Sequence, residues 1–326
     1  MSKINVCPSL LKPGYDTFSP VARKNLLNGR KVSHILPYET LSARKEQTSG
    51  RGHLSLSGAQ TKYSAVIDNG VFRLAEDYEQ GTYILKPILS DWENREYSPA
   101  NENLTMQIAS QVYGIQTAEN AVCFTKNGEQ VYVTKRYDVN PDGTKIQQED
   151  FASLAGLNRY NSGDDYKYNA LNYVDIANII KRFIPAWRIE LVKYFDLILF
   201  NFVFSNGDAH IKNFSVIQTP QGDYKLAPAY DLINTSMHIY YDSVFALQKG
   251  LYEGWNREMG ADGKDFIHFG KLIGLEEATI SKEMDKFCNI YDKTQELIDN
   301  SFLSDELKKQ YRISYQTRVN SFLKIR

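Results

Sequence analysis

Between Asn206 and Asn213 the chain reads NGDAHIKN, which gathers Asp208, His210, Lys212 and two amides into eight positions. A carboxylate in such a loop can take the proton of an attacking hydroxyl, and an amide oxygen five positions on can ligate a hard cation. Asp231, in LAPAYDL, adds a carboxylate eighteen positions after Asn213. Lys86 closes the β-prone YILKP, and LSLSGAQTK (54–62) is a small-residue stretch suited to lying against phosphates. Taken singly, each stretch also fits an ordinary turn, a solvated lysine or a helix cap. As a set they match what phosphoryl transfer from a nucleotide requires. That chemistry needs a loop over the phosphates, a strand lysine, an acceptor for the substrate proton and oxygen ligands for magnesium.

These residues need elements to hold them. The polar loop follows FDLILFNFVF (195–204), an apolar run that predicts a buried helix aiming the loop into a cleft. SAVIDNGVFRL and AVCFTKNGEQVYVTKRYD predict two hairpins around Asn69-Gly70 and Asn127-Gly128. NENLTMQIASQVYG predicts a helix capped by Asn101, with Leu104, Ile108 and Val112 on one face and Gly114 at its stop. Glu102 on that helix is placed to pair with Lys86. From about residue 139 the pattern is mainly helical, broken by FSVIQTPQGDYKLAPAYDL, two short β-prone pieces turning at Gln221-Gly222. The expected architecture is α+β and two-lobed, like a protein kinase. Residues 1–50, broken by Pro8, Pro13, Pro20 and Pro37, form a wrapping segment; 51–138 form a small β-rich N-lobe, and 139–326 a larger, mostly α-helical C-lobe.

The 326 residues include 42% hydrophobic and 24% charged side chains, enough to bury a core. Net charge is −1, so no global field draws the chain to DNA or to a membrane. Cys7, Cys123 and Cys288 lie far apart and form no metal or disulfide pattern; with no signal-peptide profile at the start, a cytoplasmic location is expected.

Residues 54–62, 83–87, 101–109, 133–138, 205–214 and 226–232 resemble the HipA family of bacterial serine/threonine kinases, which supplies the toxins of HipBA-type toxin–antitoxin modules. The resemblance rests on S-x-x-GAQ-x-K, a strand lysine, NGDAH-x-KN and P-x-YD in that order. It implies ATP and Mg²⁺ as cofactors, with Asp208 accepting the target hydroxyl's proton and Asn213 and Asp231 holding the metal. It further implies that Lys86 contacts the ATP phosphates and that Ser57, Gly58, Ala59, Gln60, Thr61 and Lys62 cover them. Lys135, Arg136 and Tyr137 would lie at the lobe hinge beside the adenine, and His210 and Lys212 among the nucleotide-binding positions. Asn-Gly-Asp stands where eukaryotic kinases have His-Arg-Asp, so the arginine that senses an activation-loop phosphate is missing. Ser55 matches the loop serine that the family commonly autophosphorylates, and Ser57 stands where the family often has a small apolar residue. A Ser-x-Ser pair of this kind resembles the shorter HipT branch, which makes both serines expected autophosphorylation sites. That branch implies a separate small HipS-like protein in place of an N-terminal subdomain. It also implies a HipB-like helix-turn-helix partner, so that DNA is met only indirectly. The family's substrates are aminoacyl-tRNA synthetases.

Two rival readings share these residues. A small-molecule phosphotransferase would use the same Lys86, Asp208, Asn213 and Asp231. A catalytically idle corepressor in a DNA-binding antitoxin complex would have little use for the complete set.

Overall fold

Asn69 (φ 47°) and Gly70 (φ 74°) both occupy the left-handed region, which folds the chain tightly between β1 (Tyr63–Asp68) and β2 (Val71–Leu74). The computed structural model describes residues 3–41, 61–88, 93–140, 142–240, 242–256 and 260–323. Ser55, Ser57, Gly58, Ala59 and Gln60 lie outside them. β3 (Tyr83–Lys86), β4 (Asn120–Phe124) and β5 (Gln130–Lys135) complete an antiparallel sheet in the order β2-β1-β3-β5-β4. Tyr83 pairs with Lys135 and Lys86 with Tyr132. Tyr83 and Lys86 are an odd number of positions apart, so their side chains leave opposite faces of the sheet.

The face bearing Tyr83 and Leu85 is covered by the segment ahead of the sheet. Cys7, Phe18, Ala22, Leu26, Leu27, Val32 and Leu36 pack there in one buried cluster with Ala65, Phe72, Val131 and Val133. Ser19 starts the short helix α1 (Pro20–Asn25) by accepting from the Ala22 amide, with Pro20 in the first turn. The Tyr83 hydroxyl donates to the Leu26 carbonyl at 2.8 Å, and the Leu36 amide to the Phe124 carbonyl at 2.7 Å. Residues 3–41 thus lie across the sheet's outer face.

The other face carries α2 (Ser98–Gln111). Pro99 sits in the first turn of this helix, so Asn101 is not its cap, contrary to the sequence reading. Asn101 is buried inside the helix, where it donates to the Asn234 carbonyl (2.8 Å) and accepts from the Asn234 amide (3.2 Å). Gly114 (φ 68°) follows the helix end, as its spacing predicts.

Beyond the sheet the chain is mostly helical: α3 (Phe151–Leu154), α4 (Arg159–Ser162), α5 (Tyr166–Asn169), α6 (Tyr173–Phe183) and α7 (Trp187–Val203), then α8 (Gly263–Leu272), α9 (Glu277–Asp285), α10 (Asp292–Asn300) and α11 (Asp305–Leu323). A second small antiparallel sheet, β6 (Gln148–Asp150), β7 (Ser215–Gln218) and β8 (Tyr224–Leu226), lies among them. α7 is the central helix, with Leu191, Tyr194, Phe195, Ile198, Leu199, Phe200, Phe202 and Val203 all buried. Just past its end Phe204 stacks on Phe200 (4.4 Å between centroids) and on Tyr315 of α11 (4.8 Å). Burying an aromatic of this size contributes roughly 1.5–3 kcal/mol, so the loop after α7 leaves from a rigid base. Among the described residues no helix is long and apolar enough to cross a membrane.

Candidate active site

Lys86, at the end of β3, points into the cleft and is almost fully buried. Its ammonium donates to Glu102 Oε1 of α2 at 2.6 Å and also bonds Asp231 Oδ1. Lys62, at the described end of the small-residue loop, reaches Asp231 Oδ2 at 3.4 Å; Thr61 beside it is half-buried. Four charged side chains from four separate segments thus meet. Burial alone would lower the pKa of Lys86 and raise that of Asp231, but the opposite charges win in both. Lys86 is held above its ordinary range, with Asp231 and Glu102 as the sources, and Asp231 is held well below its own by Lys62 and Lys86. Glu102 is shifted upward because burial outweighs the help of Lys86.

The polar loop leaves α7 through Ser205, whose φ of 52° turns the chain back. Asn206 is the staple of this turn. Its amide nitrogen donates to Asn201 Oδ1 (3.0 Å) and to the Asp231 carbonyl (3.5 Å), while its oxygen accepts from the Asp208 amide (3.4 Å). The loop carrying Asp208 and the loop carrying Asp231 are therefore tied by one side chain. Gly207 donates its amide to Thr235 Oγ1 at 2.7 Å, and Thr235 in turn bonds Asp242. A Cβ at position 207 would collide with Asp242 Oδ1 and the Ser243 carbonyl. Gly207→Ala is expected to destabilise the fold by about 1–3 kcal/mol, as overpacking does. An unchanged midpoint in urea unfolding would contradict this.

Asp208 is largely withdrawn from solvent, and burial raises its pKa to about 6; Tyr168 and Lys167 pull it down against that, while Asp231 and Asp242 push it up. It remains ionised at neutral pH and is a competent proton acceptor. His210, pushed down to about 3 chiefly by burial, stays neutral, and its ring meets Tyr168 edge-on at 5.2 Å. Asn213 ends a 3₁₀ turn, Ile211–Asn213, and is half-buried. Lys212 points away from the acid cluster and donates to Asp150 at 2.7 Å. Among the described residues no three of His, Cys, Asp or Glu converge to hold a metal. Asp231 and Asn213 carry a carboxylate and an amide oxygen, donor types that suit a cation taking its remaining ligands from water and phosphate.

Tyr137 faces Tyr230, the neighbour of Asp231, with ring centroids 6.1 Å apart. Lys135, Arg136 and Tyr137 line a cavity of about 530 Å³ with Thr82, Glu119 and Pro228. The Lys135 ammonium, however, is bound by the Asn25 carbonyl (2.8 Å) and Asn28 Oδ1 (2.7 Å), on the face opposite Lys86. Arg136 is paired with Asp138. The structure therefore unites Lys62, Lys86, Glu102 and Asp231 in one cluster and ties the Asp208 loop to it through Asn206, but it sends the side chains of Lys135, Arg136 and Lys212 elsewhere.

The sequence reading missed Lys167 and Tyr168. They sit on α5, a single helical turn just after the Ser162–Asp165 stretch read as a loop, and the Tyr168 hydroxyl donates to Asp208 Oδ1 at 2.8 Å. No spacing links positions 168 and 208. Asn206 was legible only as a polar loop residue.

Known proteins resemble this chain along most of its length. The HipA-like C-terminal domain family matches residues 54–295. A candidate kinase of Haemophilus influenzae is 27% identical, covering 95% of this chain and 96% of its own. The candidate kinase Y4mE of Sinorhizobium fredii is 30% identical over 82% of this chain and 60% of its own. The serine/threonine-protein kinase toxin HipA of Shewanella oneidensis is 24% identical over 76% and 60%. The solved structure of Shewanella oneidensis HipA with HipB and operator DNA superposes with a TM-score of 0.66 at 20% identity. That match covers 84% of this chain and 65% of the other, and at such identity the likeness shows the fold. The chain thus spans less than two thirds of the Sinorhizobium protein and of the Shewanella toxin.

Proposed function

Because this chain belongs to the HipA-like C-terminal domain family, we propose that it is an ATP-dependent serine/threonine protein kinase and the toxin of a bacterial toxin–antitoxin module. The observation that carries this reading is the Lys86–Glu102 ion pair at 2.6 Å, set beside Asp231 and tied through Asn206 to the loop of Asp208. A strand lysine oriented by a helix glutamate is a phosphate-binding device, and a half-buried, ionised carboxylate on an adjoining loop is a proton acceptor.

In this reading Asp208 takes the proton of the target hydroxyl, and Lys86 and Lys62 face the phosphates. Ser57, Gly58, Ala59, Gln60 and Thr61 close over them. Asp231 and Asn213 would hold Mg²⁺, which when bound neutralises phosphate charge. Tyr137 and the hinge backbone border the adenine, and residues 51–138 and 139–326 act as the two lobes. Ser55 and Ser57 are autophosphorylation sites; a phosphate there, at about −1.5 to −2 charge, would repel the nucleotide's own.

The resemblance to HipA supports a HipB-like helix-turn-helix partner, since the Shewanella relative was solved with HipB and operator DNA. A net charge of −1 favours contact with DNA through that partner alone. A HipS-like protein would complete the module in the HipT manner. Its contact would lie on the β-rich lobe and include the segment before residue 54, of which residues 3–41 cover the sheet's outer face. The expected substrate is an aminoacyl-tRNA synthetase, phosphorylated in the cytoplasm with arrest of translation.

Incubation of the purified chain with labelled ATP and a bacterial lysate tests the proposal. The expected result is a labelled protein band, with phosphoserine or phosphothreonine mapped by mass spectrometry in a synthetase and in the 55–57 stretch. Label appearing only in a small molecule would favour a small-molecule phosphotransferase. No transfer at all, from a protein that still binds a HipB-like partner, would favour an idle corepressor.

A further inference from the structure

We propose that Tyr168, assisted by Lys167, is the positioning residue of the Asp208 carboxylate, holding Oδ1 and leaving Oδ2 to the hydroxyl that is to be phosphorylated. This rests on the reading of Asp208 as proton acceptor. The Tyr168 hydroxyl donates to Oδ1 at 2.8 Å, and among the described residues Oδ2 makes no side-chain hydrogen bond. A carboxylate held by one oxygen has its rotamer set, and its second oxygen keeps a lone pair aimed at the substrate.

Tyr168 is itself anchored. Its carbonyl accepts from the Gln248 amide at 2.8 Å, and its ring packs edge-on against His210. The Lys167 ammonium lies 4.9 Å from the centre of the Tyr168 ring and is buried. Gly207 stands immediately before Asp208, where it can supply no cation. Lys167 supplies one from another element, and its charge favours the ionised form of Asp208.

Four groups besides burial act on Asp208. Tyr168 and Lys167, both on α5, lower its pKa, whereas Asp231 and Asp242, on the segments after β8, raise it. His210 in the loop itself is neutral above about pH 3 and adds no charge. Without the Tyr168 hydroxyl the balance tips upward, and the base becomes protonated closer to neutrality.

Tyr168→Phe keeps the ring against His210 and removes only the donor. With the purified full chain, the acid limb of the kcat–pH profile is expected to move up by roughly half to one unit. Transfer at pH 6 should fall about two- to fivefold, transfer at pH 8 should fall less, and KM for ATP should stay the same. An unmoved limb, or a rise in rate showing that Tyr168 merely blocks the acid, overturns the proposal. A second measurement needs no activity: urea unfolding of Tyr168→Phe in the wild-type and Asp208→Asn backgrounds. Tyr168→Phe should shift the midpoint more in the wild type at pH 7.5, and the difference should shrink at pH 5 as the carboxyl takes up its proton. Additive effects at both pH values would overturn the contact. Coupling in unfolding with no phosphoryl transfer by the wild type would instead sink the kinase reading and leave the contact standing.

Discussion

Asp208→Asn is expected to cut phosphoryl transfer by about 10²- to 10⁴-fold and, at the same time, to make the protein more stable at pH 7. The first effect is the loss of the group we propose as proton acceptor. The second follows from burial, which raises the folded-state pKa of Asp208 to about 6, above its ordinary 3.8. Between roughly pH 4 and 6 the folded chain therefore binds this proton more tightly than the unfolded chain does. Stability falls as pH rises through that window and does not return above it. The amide has no charge to desolvate, so the gain at pH 7 is on the order of 1–3 kcal/mol and vanishes below pH 4. Labelled-ATP assays and urea titrations at the two pH values measure both halves. A variant that transfers phosphate at close to the wild-type rate would remove Asp208 from the mechanism.

The same chemical change at Asp231 carries the opposite sign for stability. Asp231→Asn is expected to lower transfer by about 10²-fold or more, since the cleft loses the carboxylate on which Lys62 and Lys86 converge. Those lysines hold the folded-state pKa of Asp231 below its ordinary value. Its ionised form therefore stabilises the fold above about pH 4, and that contribution fades as pH falls through the depressed value. The amide forfeits it, so this variant should unfold at lower urea than the wild type at pH 7 and approach it in acid. Measured in the presence of a metal chelator, the contrast between the two variants depends only on the protein's own charges. If both shifted the midpoint in the same direction at pH 7, the charge assignment of the cleft would be wrong.

How far the site could be read beforehand depended on how local each signal was. The turn at Asn69-Gly70 is written in two adjacent residues that tolerate positive φ, and the structure has both there. The Lys86–Glu102 pair was accessible because a strand lysine and a following helix glutamate have a standard relationship in a two-lobed cleft. Asn101 misled because an asparagine near a helix start is usually a cap. Pro99 had already begun the helix, and Asn101 was needed 133 positions away, at Asn234. Tyr168 and Asp242 act on the Asp208 loop from distant segments, and nothing in a short window marks them. The cover over the sheet's outer face was visible only as a run of interrupted, mixed composition. Its purpose appears once the face it covers is known.

That cover also sets a timetable. Residues 3–41 leave the ribosome well before the strands they pack on, and the partner of Ile35, Phe124, follows roughly ninety residues later. At about 5–20 residues per second that interval is on the order of 5–20 s, during which Phe18, Leu26, Leu27 and Leu36 have at most the β1–β2–β3 part of the sheet to lie against, without β4 and β5. Asp208 and Asp231 are made later still. The nascent chain therefore passes through a long stage in which it is sticky but cannot yet transfer phosphate, and a chaperone or a co-translated partner could meet it before it is able to act.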